Sequence, residues 1–173
     1  MEKGFVQVYT GPGKGKTTAA TGLIVRALGQ GFKVLLVRFL KTCSDRSGEL
    51  IFLKDVPNLE IISSGIGILN GKAKTEEVKK SVEATFALAK EKIFSDGPDL
   101  VVFDEINNVL AKEFLALQEV LELINARPEG VELVLTGRNA PEEIMARADL
   151  VTRMEKVKHV FDQGIPARRG IEY

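Results

Sequence analysis

Short runs of aliphatic residues recur along this chain, and the stretches between them carry apolar residues at helical spacing. The first run, Phe5 to Tyr9, ends at a cluster of glycines. Lys16 to Gln30 then reads as a helix closed by Gly29 and Gly31. Lys33 to Phe39 is almost continuously apolar, the pattern of a strand buried on both faces. A shorter strand is predicted at Leu59 to Ser63. Thr75 is placed to N-cap the next helix, with Glu76 and Glu77 in its first turn, where negative charge suits the helix dipole. Val78, Val82, Phe86, Ala89 and Ile93 share one face of that helix, which stops before Gly97 and Pro98. Leu100 to Phe103 is a second buried-strand run. An amphipathic helix over Glu113 to Asn125 and a strand over Val131 to Thr136 follow. A short helix at Pro141 to Ala148 and a last strand at Leu150 to Met154 complete the pattern.

Strands alternating with helices imply a parallel sheet covered on both faces. In such sheets ligands bind at the carboxyl ends of the strands. Three polar segments fall at such ends: Gly11 to Thr18 after the first strand, Asp104 with Glu105 after the Leu100 strand, and Gly137 with Arg138 after the Val131 strand. Segments far apart in sequence are therefore expected to meet along one edge.

Composition narrows the picture further. The 173 residues, 45% hydrophobic and 28% charged, suit a single domain over 1–173 with one core and exclude a disordered or disulfide-scaffold class. Lys plus Arg equals Asp plus Glu at 24 each, so bulk charge predicts neither a nucleic-acid nor a membrane partner. No run reaches the roughly 18 apolar residues of a membrane span. The single cysteine, Cys43, excludes an intrachain disulfide and reads as an inert loop thiol. A soluble, cytoplasmic protein is expected. One cysteine and one histidine leave little for zinc, so any metal should be hard and oxygen-ligated.

The string Thr10-Gly-Pro-Gly-Lys-Gly-Lys-Thr-Thr18 lies between a predicted strand and a predicted helix, the setting a phosphate loop requires. Glycines let several backbone N–H groups turn inward toward phosphate oxygens, and the helix that follows adds its positive end. Gly11, Pro12, Gly13, Lys14, Gly15, Lys16, Thr17 and Thr18 are the candidate triphosphate-binding residues. Lys16 supplies charge to the outer phosphates, and the Thr17 hydroxyl is placed for Mg2+. Against the usual G-x-x-x-x-G-K-[ST] spacing, Thr10 occupies the first glycine position and Gly11 stands one residue nearer. Lys14 inside the loop reads equally as a phosphate contact or a solvated side chain. Downstream, the apolar run Leu100 to Phe103 ends in Asp104 and Glu105, where phosphate-loop proteins place an acid to hold Mg2+. Sequence leaves open which carboxylate is nearer the metal.

The loop GPGKGKTTAA, the segment FDEINNVL, the stretch VLTGRNAPEEIMARADLVTRM and the ending VKHVFDQGIPARRGIEY together resemble the ATP:corrinoid adenosyltransferase family of the P-loop type, from about Val6 to Tyr173. The resemblance implies an α/β, three-layer P-loop NTPase-like (RecA-like) fold with a mostly parallel central sheet. It implies transfer of the adenosyl group of ATP to the Co(I) of a reduced corrinoid, with triphosphate as leaving group, in cobalamin biosynthesis or salvage. Carried over by position, Lys16, Thr17 and Glu105 are the catalytic candidates. Thr17, Asp104 and Glu105 are the Mg2+ candidates, and Arg26 and Arg138 join the ATP-binding set. Gly65, Gly67, Ile68 and Asn70 match the segment that approaches the corrinoid, where the family commonly carries G-x-G-F-T-W. Ile68 stands in place of phenylalanine and Asn70 in place of tryptophan, which leaves two expectations open: a preference for an incomplete corrinoid lacking a lower cobalt ligand, or a divergent relative with another acceptor. An electron-donor flavoprotein and a homodimer are the partners the resemblance suggests, and His159 reads as a structural residue of the terminal segment. Two other readings of the residues stand beside this one: a P-loop NTPase or kinase, and a non-catalytic, nucleotide-gated corrinoid-binding protein.

Overall fold

A computed structural model describes residues 2–41, 47–66 and 74–173. Six strands form one sheet: β1 (Val6–Thr10), β2 (Val34–Arg38), β3 (Leu59–Ser63), β4 (Leu100–Asp104), β5 (Glu132–Thr136) and β6 (Leu150–Arg153). Their order is β3-β2-β4-β5-β1-β6, and all five pairings are parallel. The helices are α1 (Lys16–Gly29), α2 (Gly48–Leu53), α3 (Thr75–Ser95), α4 (Ile106–Ala111), α5 (Leu117–Ala126) and α6 (Glu142–Arg147).

Alternation along the central strands divides the core into two layers. Val34 and Leu36 of β2, with Leu100 and Val102 of β4, face α1, which buries Ala20, Ile24 and Ala27 at helical spacing, and α2, which adds Leu53. Leu35 and Val37, with Val101 and Phe103, face the other way onto α3 to α6. There Phe103 takes Phe39 and Phe86 edge-on at centroid distances of 5.6 and 6.0 Å, pairs each worth about 0.5–1.5 kcal/mol beyond area burial. β2 and β4 are buried at every position, as their unbroken apolar runs require, whereas all four residues of the edge strand β6 are exposed. No helix of the described residues is long and apolar enough to cross a membrane.

Two local readings need correction. Lys74, not Thr75, occupies the N-cap of α3, and Thr75 is its first helical residue. The helix expected at Glu113 to Asn125 begins only at Leu117. Before it the chain makes the separate short helix α4, and Glu113 takes a left-handed φ of 56° that turns the corner. The apolar residues Phe114 and Leu115 of that corner pack into the core, which is why the pattern looked continuous. α2 carries too few residues for its period to stand out from its surroundings.

Candidate active site

The topology brings β1, β4 and β5 side by side, with β5 between the strand that feeds the phosphate loop and the strand that ends in the two acids. Gly11 to Thr18, Asp104 with Glu105, and Gly137 with Arg138 all leave the same, carboxyl edge of this parallel sheet.

Gly11 and Gly15 adopt φ values of 98° and 116°. A Cβ on Gly11 would lie 2.5 Å from the Met154 carbonyl oxygen, and one on Gly13 would lie 2.7 Å from it. The Gly13 N–H donates to that same carbonyl at 2.7 Å, and the Met154 N–H donates to Thr10 O at 2.8 Å. These two glycines thus serve the close approach of the chain after β6 as much as any ligand. Gly15 is the N-cap of α1 and has no side chain to cap it, so the first N–H groups of a 14-residue helix face the loop. The Lys16 ammonium reaches back across the loop to the carbonyls of Gly11 (2.8 Å) and Gly13 (2.6 Å). Burial pushes its pKa below the usual lysine value, and the charge of Arg138 adds to that effect.

Asp104 is the hub. Its Oδ1 accepts from the hydroxyls of Thr17 (2.9 Å) and Thr136 (2.7 Å), and its Oδ2 accepts from Lys41 Nζ at 2.7 Å. The residue is 1% exposed, and its carboxylate is held by three donors: from the first turn of α1, from β5, and from the segment that follows β2. Beneath it, a cavity of about 10 Å3 lined by Thr17, Arg38, Glu49 and Asp104 has room for about one water-sized group. Glu105 follows at a left-handed φ of 69° and accepts from Asn108 Nδ2, while its N–H donates to Thr136 Oγ1 at 3.1 Å. Burial raises the Glu105 pKa above the usual carboxylate value, and the neighbouring Asp104 charge raises it further. The Arg138 N–H donates to Asn108 Oδ1 at 2.7 Å, which ties the β5 turn to α4.

The other expected site residues are placed as follows. Lys14 pairs with Glu172 near the end of the chain. Arg26 is exposed on the last turn of α1, about 15 Å along the axis from Lys16, with its charge acting on Tyr9. It is not brought to the loop. Gly65 turns the chain after β3 with φ 74°. Cys43, Gly67, Ile68 and Asn70 lie outside the described residues. His159 Nδ1 accepts from the Phe161 N–H at 3.1 Å and caps a short 3-10 turn, Val160–Gln163. A larger cavity of about 260 Å3, lined by Lys33, Asn58, Lys92 and Asp96, opens at the opposite end of the sheet, away from this chemistry.

Sequence reading missed Lys41, Thr136, Asn108 and Glu172. Lys41 and Thr136 had a usable signal, since each stands at the carboxyl end of a predicted central strand. Leu40 just before Lys41 has a left-handed φ of 58°, a conformation costing about 1–2 kcal/mol for such a residue. That turn aims Lys41 at Asp104. Asn108 and Glu172 had no local signal.

A family model described as ATP:corrinoid adenosyltransferase BtuR/CobO/CobP matches residues 2–173. Proteins named corrinoid adenosyltransferase from Pseudomonas aeruginosa and Escherichia coli K12 are 36% and 35% identical over 99% of this chain and 85% and 87% of their own length. One from Salmonella typhimurium is 33% identical with the same 99% and 87% coverage. Among solved structures, the KaiC-like protein PH0186 from Pyrococcus horikoshii superposes with a TM-score of 0.53, 14% identity, and coverage of 90% of this chain and 74% of that one. The flagellar accessory protein FlaH from Methanocaldococcus jannaschii gives 0.51 at 14% identity, covering 88% and 72%. At that identity these two show a shared fold and nothing more.

Proposed function

The chain belongs to the ATP:corrinoid adenosyltransferase family, and from that premise we propose that it transfers the adenosyl group of ATP to the reduced cobalt of a corrinoid and releases triphosphate. The cobalt lone pair forms the bond to ribose C5′ as the C5′–O bond breaks, and the triphosphate leaves with the electron pair. The match of family and relatives over nearly the whole chain carries this reading.

The site's own groups suit that chemistry. Charge grows on the leaving triphosphate, so donors fixed in advance around it stabilise the transition state more than the ground state. Lys16, the first N–H groups of α1 and Arg138 are such donors. Thr17, Asp104 and Glu105 offer the hard oxygen atoms that Mg2+ takes, and one hydroxyl with one or two carboxylates plus substrate phosphates is a usual Mg2+ arrangement. In this reading Thr17 and Glu105 would hold the metal, and Asp104, already occupied by three donors, would orient Thr17. The ion's contribution when bound is to neutralise charge on the phosphate oxygens. The proposal extends to cobalamin biosynthesis or salvage, a cytoplasmic setting, a flavoprotein electron donor and a homodimer. The exposed edge strand β6, with Leu150 50% and Val151 43% exposed, supports an interface between copies.

The test is an anaerobic reaction of Mg-ATP with chemically reduced Co(I) corrinoid, followed by Co(I) absorbance, light-sensitive product and free triphosphate. The wild-type chain should form product, and Lys16→Ala should lower turnover by a hundredfold or more, on the order of losing one transition-state donor. ATP binding without adenosyl product, on both complete and incomplete corrinoids, would overturn the proposal. ADP release in that case would identify an NTPase.

A further inference from the structure

The phosphate loop carries two lysines, and they face different partners. Lys16 lies across the loop, on the carbonyls of Gly11 and Gly13. Lys14 turns outward, 2.8 Å from Glu172 Oε1 and 3.2 Å from the Ile171 carbonyl. Glu172 is held there by a second cation: the Arg168 N–H donates to its Oε2 at 2.7 Å, and Arg168 Nε and Nη2 lie 3.2 and 3.1 Å from its two oxygens. The Gly170 N–H donates to Tyr173 O at 2.7 Å and closes the turn that presents Glu172. These hydrogen bonds hold the Glu172 carboxyl down to about 2, so it is anionic at any ordinary pH. The same terminal stretch begins at Met154, which accepts the Gly13 N–H. The loop is thus gripped at two points by the chain that follows β6.

We propose that Glu172 is a positioning residue that holds Lys14 out of the phosphate cradle, so that the triphosphate is bound by Lys16 and the loop amides without a second ammonium. The proposal rests on the loop being the triphosphate site and is independent of the acceptor. Its physical purpose follows from the chemistry of the product. Triphosphate departs with more charge than any group in the bound nucleotide had to itself. A lysine two residues from Lys16 and free to swing inward is not fixed in advance around the leaving group, and it would bind the more highly charged product most tightly. Binding gained on the product does not speed the chemical step, and it slows release. A carboxylate that claims this lysine keeps the loop selective for the transition state.

The experiment is calorimetric titration of inorganic tripolyphosphate into the wild-type chain, Glu172→Gln, and Glu172→Gln combined with Lys14→Met. Glu172→Gln should bind tripolyphosphate about three- to fivefold more tightly at low ionic strength, the scale of one exposed charge contact. The gain should shrink as salt rises, and adding Lys14→Met should abolish it. A terminal segment that merely props the loop predicts the opposite sign, so unchanged or weaker binding by a folded Glu172→Gln overturns the proposal. Thermal melts establish folding. Should the glutamine variant unfold, Glu172→Asp withdraws the carboxylate while keeping its charge, and the same sign of change is required. A wild-type chain that binds no tripolyphosphate sinks the loop assignment as well. Binding by wild type with no gain in the variant sinks this proposal alone.

Discussion

Lys41 shows how one side chain can matter to a site without touching a phosphate. It is the only cation that the described contacts give Asp104, and its side chain is 20% exposed against 2% for its partner. Stripping a partner from a fully buried pair costs about 3–5 kcal/mol. The partial exposure of Lys41 and the two remaining hydroxyl donors reduce that to about 1–2 kcal/mol. Lys41→Met is therefore expected to melt about 2–8 °C lower and to need more Mg2+ for half-maximal ATP binding, because Asp104, the acceptor of the Thr17 hydroxyl, is then less firmly held. Lys41→Arg should restore most of both. Glu105 gives a prediction of the other sign. Its pKa is raised in the folded state, so ionising it costs stability: the carboxyl contributes favourably below its ordinary value of 4.5, and that contribution is lost as pH rises through the folded value. Glu105→Gln should match wild type in melts near pH 4, exceed it increasingly as pH rises, and level off above the folded pKa. A constant difference across pH would count against burial as the cause. The same variant should lose turnover at neutral pH.

At the scale of elements, the six strands were legible because runs such as Leu100 to Phe103 are too short and too continuously apolar to be surface helices, and glycines punctuate them. The phosphate loop was legible for a related reason: GKGKTT between strand and helix has one common use. What stayed hidden depended on distance in sequence. The hand-over from α4 to α5 rests on Glu113 in a left-handed conformation, and nothing in a glutamate announces that. The reason for Gly11 and Gly13 was hidden too. Their spacing suggests phosphate contact, yet the neighbour that forbids a Cβ is Met154, on the far side of the sequence. Gly13→Ala should therefore loosen the chain after β6 before it affects anything else. Overpacking of this kind costs about 1–3 kcal/mol. It should appear as faster proteolysis beyond Arg153, with the melting of the remaining domain little changed. Cleavage at the wild-type rate would show that the loop yields instead.

For the molecule as a whole, the sheet sets the reach of the site. From β1 to β3 there are four strand spacings, about 19 Å at 4.8 Å each. The phosphate loop stands at one end of that edge and the turn at Gly65 at the other, with Asp104 and Lys41 between them. The two halves of the proposed reaction thus have separate ends of one edge. The Lys41 carbonyl accepts from the Ser64 hydroxyl at 3.3 Å, which joins the middle of the edge to the turn at Gly65.

The strand order also governs when the site can exist. β1 is the first of the six strands to be made, but among the described residues its partners are β5 and β6, with Val6 opposite Leu133 and Gln7 opposite Leu150. On the ribosome β1 waits for β5, more than 120 residues later in the chain, before it can pair. Pairings this remote in sequence are slow to close. A growing chain that has not yet delivered β5 holds the glycines and lysines of the loop in order but has no sheet edge on which to set them. Nucleotide therefore cannot guide the folding of the first strands, and can only reward a chain that has already delivered β5.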